Sequence, residues 1–455
     1  MDEHFDAVVI GAGAGGESVA WRLAGRGKRV ALIERSLIGG ECTYWACIPS
    51  KTLLHPVGVR AEARRGYGTG DVAIDWEAVS AYRDYMTRDW DDSRQVREYQ
   101  EMGVAVFKTE ARIEGPGVVI AGETELRTRN IVVATGGDPF VPPIEGLAES
   151  GHWGTHEVTS MKRVPESVAV VGGGPASIEL GQMLARYGSA VALITRQSRL
   201  FANEDIRVGD MLADALEADG VGLRFGAQVR RVSRTAGGKR LELDDGSTVE
   251  AAELLVATGK RARVSGYGLE TLGIENAERG IPIDEHGRAG EGVWAVGDVT
   301  GVAMLTHVAK YQGRLVADGI VGEERTLDYR AVPRVVFSDP EIAFVGVSAE
   351  EAARKEMDVV ASTVEMSSLG RPYIQERDAR GFLTLVADAN TRAIVGATAV
   401  APLSGEWIHL AALAVREGIS AESLFETIIQ FPTYSEAYIS AAEELRRPPS
   451  PRRRS

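Results

Sequence analysis

Two cysteines, Cys42 and Cys47, are the residues of this 455-residue chain best suited to redox or nucleophilic chemistry, and it has no others. Four residues separate them, a spacing that lets both sulfurs meet on the first turn of a helix, where the dipole favours thiolate. Two thiols are too few for a disulfide scaffold or for a thiolate-built zinc or iron–sulfur site, so no metal centre is expected. The pair is framed by Gly39-Gly40-Glu41 on one side and Ile48-Pro49-Ser50-Lys51 on the other.

The rest of the chain has the composition of a soluble globular protein, 44% hydrophobic and 25% charged. Its 51 Lys plus Arg stand against 65 Asp plus Glu, a net charge of −14, which argues against a nucleic-acid-binding body. No apolar run reaches the ~18 residues of a membrane span, and Met1-Asp2-Glu3-His4 does not begin a signal peptide. A cytoplasmic protein without membrane or nucleic-acid partners is therefore expected. In that compartment a disulfide is more often catalytic or transient than structural.

The elements that position the cysteines belong to a repeated unit. The apolar run Phe5 to Ile10 breaks into Gly11-Ala12-Gly13-Ala14-Gly15-Gly16, continues as a helical pattern from Glu17 to Leu23, and returns as Arg29 to Ile33. Ser167 to Val171 does the same, through Gly172-Gly173-Gly174-Pro175-Ala176-Ser177, then Ile178 to Tyr187 and Ala190 to Ile194. Strand, glycine turn, helix, strand is the βαβ unit that binds dinucleotides. Gly11 and Gly172 permit the tight turn, Gly13 and Gly174 let backbone approach a pyrophosphate, and Gly16 or Ser177 allows close helix–strand packing. Both units end alike, in Ala134-Thr135-Gly136 and Ala257-Thr258-Gly259. The first is longer by an insertion of about 38 residues. It holds the cysteines, and its polar stretch from about Trp76 to Met102 reads as helical.

The residue that reads the adenosine ribose falls twenty-three positions after the leading glycine. In the first unit it is Glu34, a carboxylate suited to free ribose hydroxyls. In the second it is Thr195, with Arg196 and Arg199 close behind, which suits a 2′-phosphate. The first site therefore reads as FAD and the second as NADPH, with NADH possible.

The stretch Gly39-Gly40-Glu41-Cys42-Thr43-Tyr44-Trp45-Ala46-Cys47-Ile48-Pro49-Ser50-Lys51 resembles the FAD-dependent pyridine nucleotide–disulfide oxidoreductases. That class I family includes dihydrolipoamide dehydrogenase, glutathione reductase and mercuric reductase, and the resemblance runs over essentially the whole chain. It implies an α/β fold of two Rossmann-like dinucleotide-binding domains and a C-terminal α+β dimerisation domain. Cys47 becomes the sulfur against the flavin and Cys42 the outer, interchange thiol. Hydride is expected to pass from NADPH to the flavin, and electrons from there to a Cys42–Cys47 disulfide. Lys51 matches the lysine near flavin N5 and Glu179 its ion-pair partner. Trp294-Ala295-Val296-Gly297-Asp298 resembles the second FAD motif, whose aspartate holds the ribityl chain. Met304 to Ala309, with His307, resembles the helix start on the flavin side, and His307 is expected to be structural. Phe337-Ser338-Asp339-Pro340-Glu341 resembles the opening of the interface domain that builds a homodimer.

The expected limits are 1–150 and 266–332 for the two parts of the FAD-binding domain and 151–265 for the NAD(P)-binding domain. The dimerisation domain is expected at 333–446 and a basic, disordered tail at 447–455.

Three departures bear on function. Family disulfide reductases end in His-Pro-Thr-x-Ser-Glu, the His acting as acid–base catalyst and the Glu orienting it. Here the stretch reads Phe431-Pro432-Thr433-Tyr434-Ser435-Glu436, with Glu436 kept and no ring that carries a proton. General acid–base help is worth about 10²–10⁴-fold, so an acceptor with a poor leaving thiolate is disfavoured. Pro175 stands where an aromatic residue often covers the flavin, and is expected to leave its nicotinamide side more open. Gly259-Lys260-Arg261-Ala262-Arg263 replaces the usual Gly-Arg-x-Pro-Asn. Mercuric reductase also lacks the histidine but uses a C-terminal cysteine pair, and this chain has no cysteine after Cys47.

Three readings follow. In the first, NADPH reduces the cysteine pair, which passes electrons to a small-molecule disulfide or thiol-bound species that needs no histidine acid. In the second, a quinone or similar carrier takes electrons at the flavin, and Phe431, Tyr434 and Tyr438 form an aromatic pocket, although Tyr438 alone reads as interface packing. In the third, the chain is a redox-responsive flavoprotein or the dehydrogenase subunit of a larger complex. The intact Gly-Gly and Pro-Ser-Lys around both cysteines favour the first.

Overall fold

A computed structural model describes residues 3–274, 279–376 and 379–447. The tail expected at 447–455 lies outside the described residues except for Arg447.

Both glycine units form as the pattern requires. In the first, Ala7–Ile10 and Val30–Ile33 pair in parallel, and the intervening helix spans Ala14–Ala24. The sheet has six strands in the order Arg288–Gly290, Val293–Ala295, Ile131–Val133, Ala7–Ile10, Val30–Ile33, Ala105–Phe107. These central strands are buried on both faces, which is why they read as unbroken Val, Ile and Ala rather than as an alternation. The chain leaves this sheet after Val133, builds the second unit, and returns to lay Val293–Ala295 parallel to Ile131–Val133.

The second unit has a four-stranded parallel sheet, ordered Gly222–Arg224, Ala190–Ile194, Ser167–Val171, Glu253–Val256, with the helix Pro175–Arg186 packed on it. An antiparallel three-stranded sheet, Val229–Thr235, Gly238–Leu243 and Thr248–Ala251, is inserted before the last of these strands. Towards the C-terminus a five-stranded antiparallel sheet takes the order Arg334–Val336, Ile342–Gly346, Ile394–Val400, Phe382–Asp388, Val359–Glu365. Helices His409–Glu417 and Glu436–Arg446 pack against it.

The polar stretch after the cysteines is two helices rather than one. Trp76–Met86 and Ser93–Glu101 are separated by Arg88, Asp89 and Trp90, all three with positive φ. Asp75 caps the first by accepting from the Glu77 and Ala78 N–H groups. No helix among the described residues is long and apolar enough to cross a membrane.

Candidate active site

The first glycine turn is shaped by close backbone approach. Gly11 has φ +99°, and a Cβ there would lie 2.4 Å from the Ala134 carbonyl oxygen. At Gly40, φ +58°, a Cβ would meet the Gly13 Cα at 2.8 Å. These contacts press the glycine turn, the Ala134-Thr135-Gly136 strand end and the cysteine segment together around one cleft of about 890 Å³. Glu34 lies at one end, its two oxygens accepting from the Ala12 N–H (2.8 Å) and the Ser36 N–H (2.7 Å). Cys42, Cys47 and Asp298 lie along it, and Lys260 pairs with Asp298 at 3.3 Å. Thr135 donates its hydroxyl to the Arg263 carbonyl at 2.9 Å, and Arg263 also holds Asp138, which accounts for two residues of the departed Gly259–Arg263 stretch.

These residues fit FAD. The cradle has no room for a Cβ at Gly11 or Gly40, the oriented Glu34 carboxylate suits ribose hydroxyls, and Glu34 and both cysteines line the same cleft. Gly16, where a Cβ would fall 1.9 Å from the Gly11 carbonyl, keeps the helix pressed onto its strand.

The expectation that both sulfurs share the first turn of one helix needs correction. Cys42 lies in the short helix Gly40–Tyr44, and Cys47 opens the next, Cys47–Arg65. Trp45 and Ala46 take non-helical backbone angles at the junction, and that bend brings the thiols face to face. Both are free thiols, the reduced form of the pair. Cys47 sits where the helix N-terminus favours thiolate, and its Sγ is 3.3 Å from Thr306 Oγ1. The hydrogen bond from Cys42, with help from Thr306 and the charges of Lys51 and Lys260, lowers the Cys47 thiol to about 6. The same hydrogen bond, together with burial, pushes Cys42 up, so the proton stays on the outer sulfur.

Lys51 follows Cys47 by one helical turn and therefore shares its face. Its Nζ is 2.6 Å from Glu179 Oε2. Glu179 is buried, and its other oxygen accepts the Phe337 N–H at 3.0 Å, while the Phe337 ring lies 4.6 Å beneath the Lys51 ammonium. Three distant stretches thus fix one cation. Phe337 is a partner that sequence reasoning assigned only to a domain opening.

In the second unit Gly172 has φ +143°, and a Cβ would lie 2.4 Å from the Ala257 carbonyl. Ser177 is buried and donates to that carbonyl at 2.9 Å, so a serine serves in the third glycine slot. Gly174 precedes the helix, Pro175 takes its first position, and Gly259, φ +117°, follows the last strand, Glu253–Val256. Of the two arginines, Arg196 is exposed, and among the described residues it has no ion-pair partner. The Arg199 guanidinium donates to the carbonyls of Phe201, Ala202 and Glu204 at 3.1, 2.9 and 2.8 Å, closing its own loop.

The aromatic pocket of the quinone reading does not form from Phe431, Tyr434 and Tyr438. Tyr434 and Tyr438 are buried, bonded to Gln375 and to the Trp407 carbonyl, and packed on the Trp407 ring. Phe431 alone is exposed, at 66%. Glu436 turns back on its own segment, its Oε2 accepting the Thr433 N–H at 3.0 Å.

One cluster had no signal in the sequence. His156 stacks on Trp45 at 4.6 Å and bonds Glu41 at 2.8 Å, along the cleft wall next to Cys42.

Comparison with known proteins agrees with this geometry. The family pattern described as pyridine nucleotide-disulphide oxidoreductase matches residues 5–313, and its dimerisation domain matches 332–442. A mercuric reductase of Streptomyces lividans is 31% identical over 455 residues, 96% of each chain. A dihydrolipoyl dehydrogenase of Chlamydia trachomatis is 31% identical over 459 residues, 97% of each. Among solved structures, LpdA from Mycobacterium tuberculosis superposes with a TM-score of 0.88 at 26% identity, covering 97% of this chain and 99% of that one. The HOCl-induced flavoprotein disulfide reductase RclA from Escherichia coli gives 0.87 at 26% identity, covering 96% and 99%.

Proposed function

This chain belongs to the pyridine nucleotide–disulphide oxidoreductase family, FAD-dependent enzymes that use NAD(P)H, and from that premise we propose an NADPH-dependent reductase that works through Cys42 and Cys47. The acceptor is a disulfide or another thiol-reactive species that needs no histidine acid. The observation that carries this reading is the placement of the pair: Cys47 opens its helix with Sγ 3.3 Å from Thr306 Oγ1 and the Glu179-held Lys51 one turn on, while Cys42 faces it from the preceding short helix, an arrangement that lowers the Cys47 thiol and raises that of Cys42.

FAD, when bound, supplies the two-electron carrier between a nicotinamide and the cysteines. Glu34 would hold its ribose, and Asp298, beside Lys260, would hold the ribityl chain. Glu179 fixes the Lys51 ammonium one turn from Cys47, where it favours thiolate. With a disulfide acceptor, the Cys42 sulfur bonds to one acceptor sulfur as the acceptor S–S bond breaks and the first thiolate leaves; the Cys47 thiolate then attacks Cys42, closes the Cys42–Cys47 disulfide and releases the second thiolate. The exposed Arg196 supports NADPH over NADH, because its donors remain available to a 2′-phosphate.

The working unit is a homodimer in the cytoplasm. Its support is the matched dimerisation domain and the exposure of Ile428 (98%) and Phe431, apolar side chains that a second copy would cover.

An acceptor panel with NADPH and NADH tests the reading. Faster turnover with NADPH on disulfides of low-pKa thiols agrees with it. Turnover on quinones alone contradicts it.

A further inference from the structure

The two sulfurs stand on supports of unequal strength. Cys47 opens a helix of 19 residues, Cys47–Arg65, and its Sγ is 3.3 Å from Thr306 Oγ1. Cys42 stands on Gly40–Tyr44, a helix of five residues. So short a helix closes too few of its own hydrogen bonds to offset the cost of its first turn, and its last carbonyls find no partner within it. Contacts from elsewhere in the fold must therefore hold Cys42 in front of Cys47.

The segment Thr155–Thr159 supplies them. His156 Nε2 lies 2.8 Å from Glu41 Oε2, and because a carboxylate only accepts, the ring nitrogen donates. Glu41 immediately precedes Cys42. The same imidazole stacks on Trp45, with 4.6 Å between centroids and 13° between planes. Trp45 ends the Cys42 helix, and its carbonyl lies 3.0 Å from the Thr159 hydroxyl, which also reaches the Thr155 carbonyl at 2.8 Å. The Cys42 helix is thus gripped on both sides of its thiol. The gripping segment is itself anchored in the second unit. The Trp153 N–H donates to the Leu254 carbonyl at 2.7 Å, and the Trp153 carbonyl accepts the Val256 N–H at 2.9 Å.

A second support reaches Trp45 from the inserted helices. The Trp90 ring lies 5.6 Å from that of Trp45. Trp90 ends the run Arg88, Asp89, Trp90, with φ of 55°, 51° and 57°, a left-handed region that side chains rarely adopt. Backbone of this kind persists only where its surroundings hold it, and here it sets an indole beside the loop between the cysteines. Arg83, fully buried, joins the two supports: it donates to the Thr159 carbonyl at 2.6 Å and lies 5.8 Å from the Trp90 ring.

We propose that His156 is a positioning residue for the redox pair: by holding Glu41 and Trp45 on either side of Cys42, it keeps the outer sulfur facing Cys47 and so sets the reduction potential of the Cys42–Cys47 couple. The proposal deepens the dithiol reading above and rests on it. Two electrons break the S–S bond, and two protons complete the thiols, of which Cys47 gives one up where it stands as thiolate. Oxidation reverses both. His156 exchanges neither electron nor proton. It acts on the chain freedom lost when the bond closes, which is small when the sulfurs already face each other. A released Cys42 helix loses more freedom on closure, so the disulfide is reduced more easily.

The test equilibrates the FAD-loaded enzyme in dithiothreitol redox buffers, quenches with iodoacetamide and reads the dithiol fraction by mass spectrometry, with no acceptor present. His156→Ala is expected to favour the dithiol about tenfold, which raises the midpoint by about 30 mV. His156→Phe keeps a ring against Trp45, and His156→Gln keeps a donor for Glu41, so each recovers part of that shift. Glu41→Ala added to His156→Ala shifts the midpoint no further, because the contact it removes is already gone. A midpoint unmoved in His156→Ala, one moved equally in all three His156 variants, or a full additional shift from Glu41→Ala overturns the proposal. Where His156→Ala yields no flavin-loaded protein, an unmoved midpoint in both His156→Phe and His156→Gln overturns it. A Cys42→Ser enzyme that still reduces 5,5′-dithiobis(2-nitrobenzoate) at the wild-type rate overturns instead the dithiol reading beneath it.

Discussion

Lys51 and Glu179 meet at 2.6 Å across the junction between the cysteine helix and the first helix of the second nucleotide unit. Glu179 is 6% exposed, and its second oxygen is already committed to the Phe337 N–H. Removing the lysine leaves a buried carboxylate short of its counter-charge. Lys51→Met is expected to cost about 2 kcal/mol of stability, while Glu179→Gln, which keeps the shape and removes the stranded charge, costs less. Denaturant unfolding of the two variants checks the order.

The Arg196 and Arg199 side chains predict opposite outcomes. Arg196→Ala is expected to raise the KM for NADPH about tenfold, ~1.4 kcal/mol, and to leave that for NADH unchanged. Arg199→Ala opens three carbonyl contacts in its own loop, so it lowers stability without discriminating between the nucleotides. Steady-state kinetics with both nucleotides, beside melting curves, separates the two effects.

The glycine turns give a sharper structural prediction. Gly11→Ala and Gly172→Ala each force a left-handed or extended positive φ on a Cβ that has no space against a carbonyl, and each costs more than ~1 kcal/mol. Gly11→Ala also lowers the ratio of 450 nm to 280 nm absorbance in the purified protein, through lost flavin. Gly172→Ala keeps the flavin and weakens nucleotide binding.

Cys47 sets a pH dependence with a definite sign. Its thiol is lowered to about 6, so alkylation of reduced Cys47 rises as pH passes upward through that value and is flat above it. Thr306→Val and Lys51→Met each remove a lowering influence and move the rise to higher pH. Mass spectrometry of iodoacetamide-treated protein gives the profile directly.

What could be read from sequence followed the range of the interaction. The glycine turns and the framed cysteines are local demands of backbone geometry, so residue type and spacing expose them. The pairing of Lys51 with Glu179 came through a resemblance, since nothing local joins residues 128 positions apart. An offset along a strand end does not say which way a guanidinium turns, so the bonds of Arg199 to its own loop carbonyls were not legible. Tyr434 and Tyr438 face inward because the Trp407 ring offers them a packed wall. The His156–Glu41 and Tyr99–Glu17 contacts join residues 115 and 82 positions apart, and neither leaves a periodic trace.

The central claim is that electrons leave this enzyme through Cys42. The direct measurement is turnover of the Cys42→Ser holoenzyme with NADPH and 5,5′-dithiobis(2-nitrobenzoate), alongside the rate at which NADPH bleaches the flavin. The account predicts that bleaching persists while disulfide turnover falls to background. Turnover at the wild-type rate would contradict it.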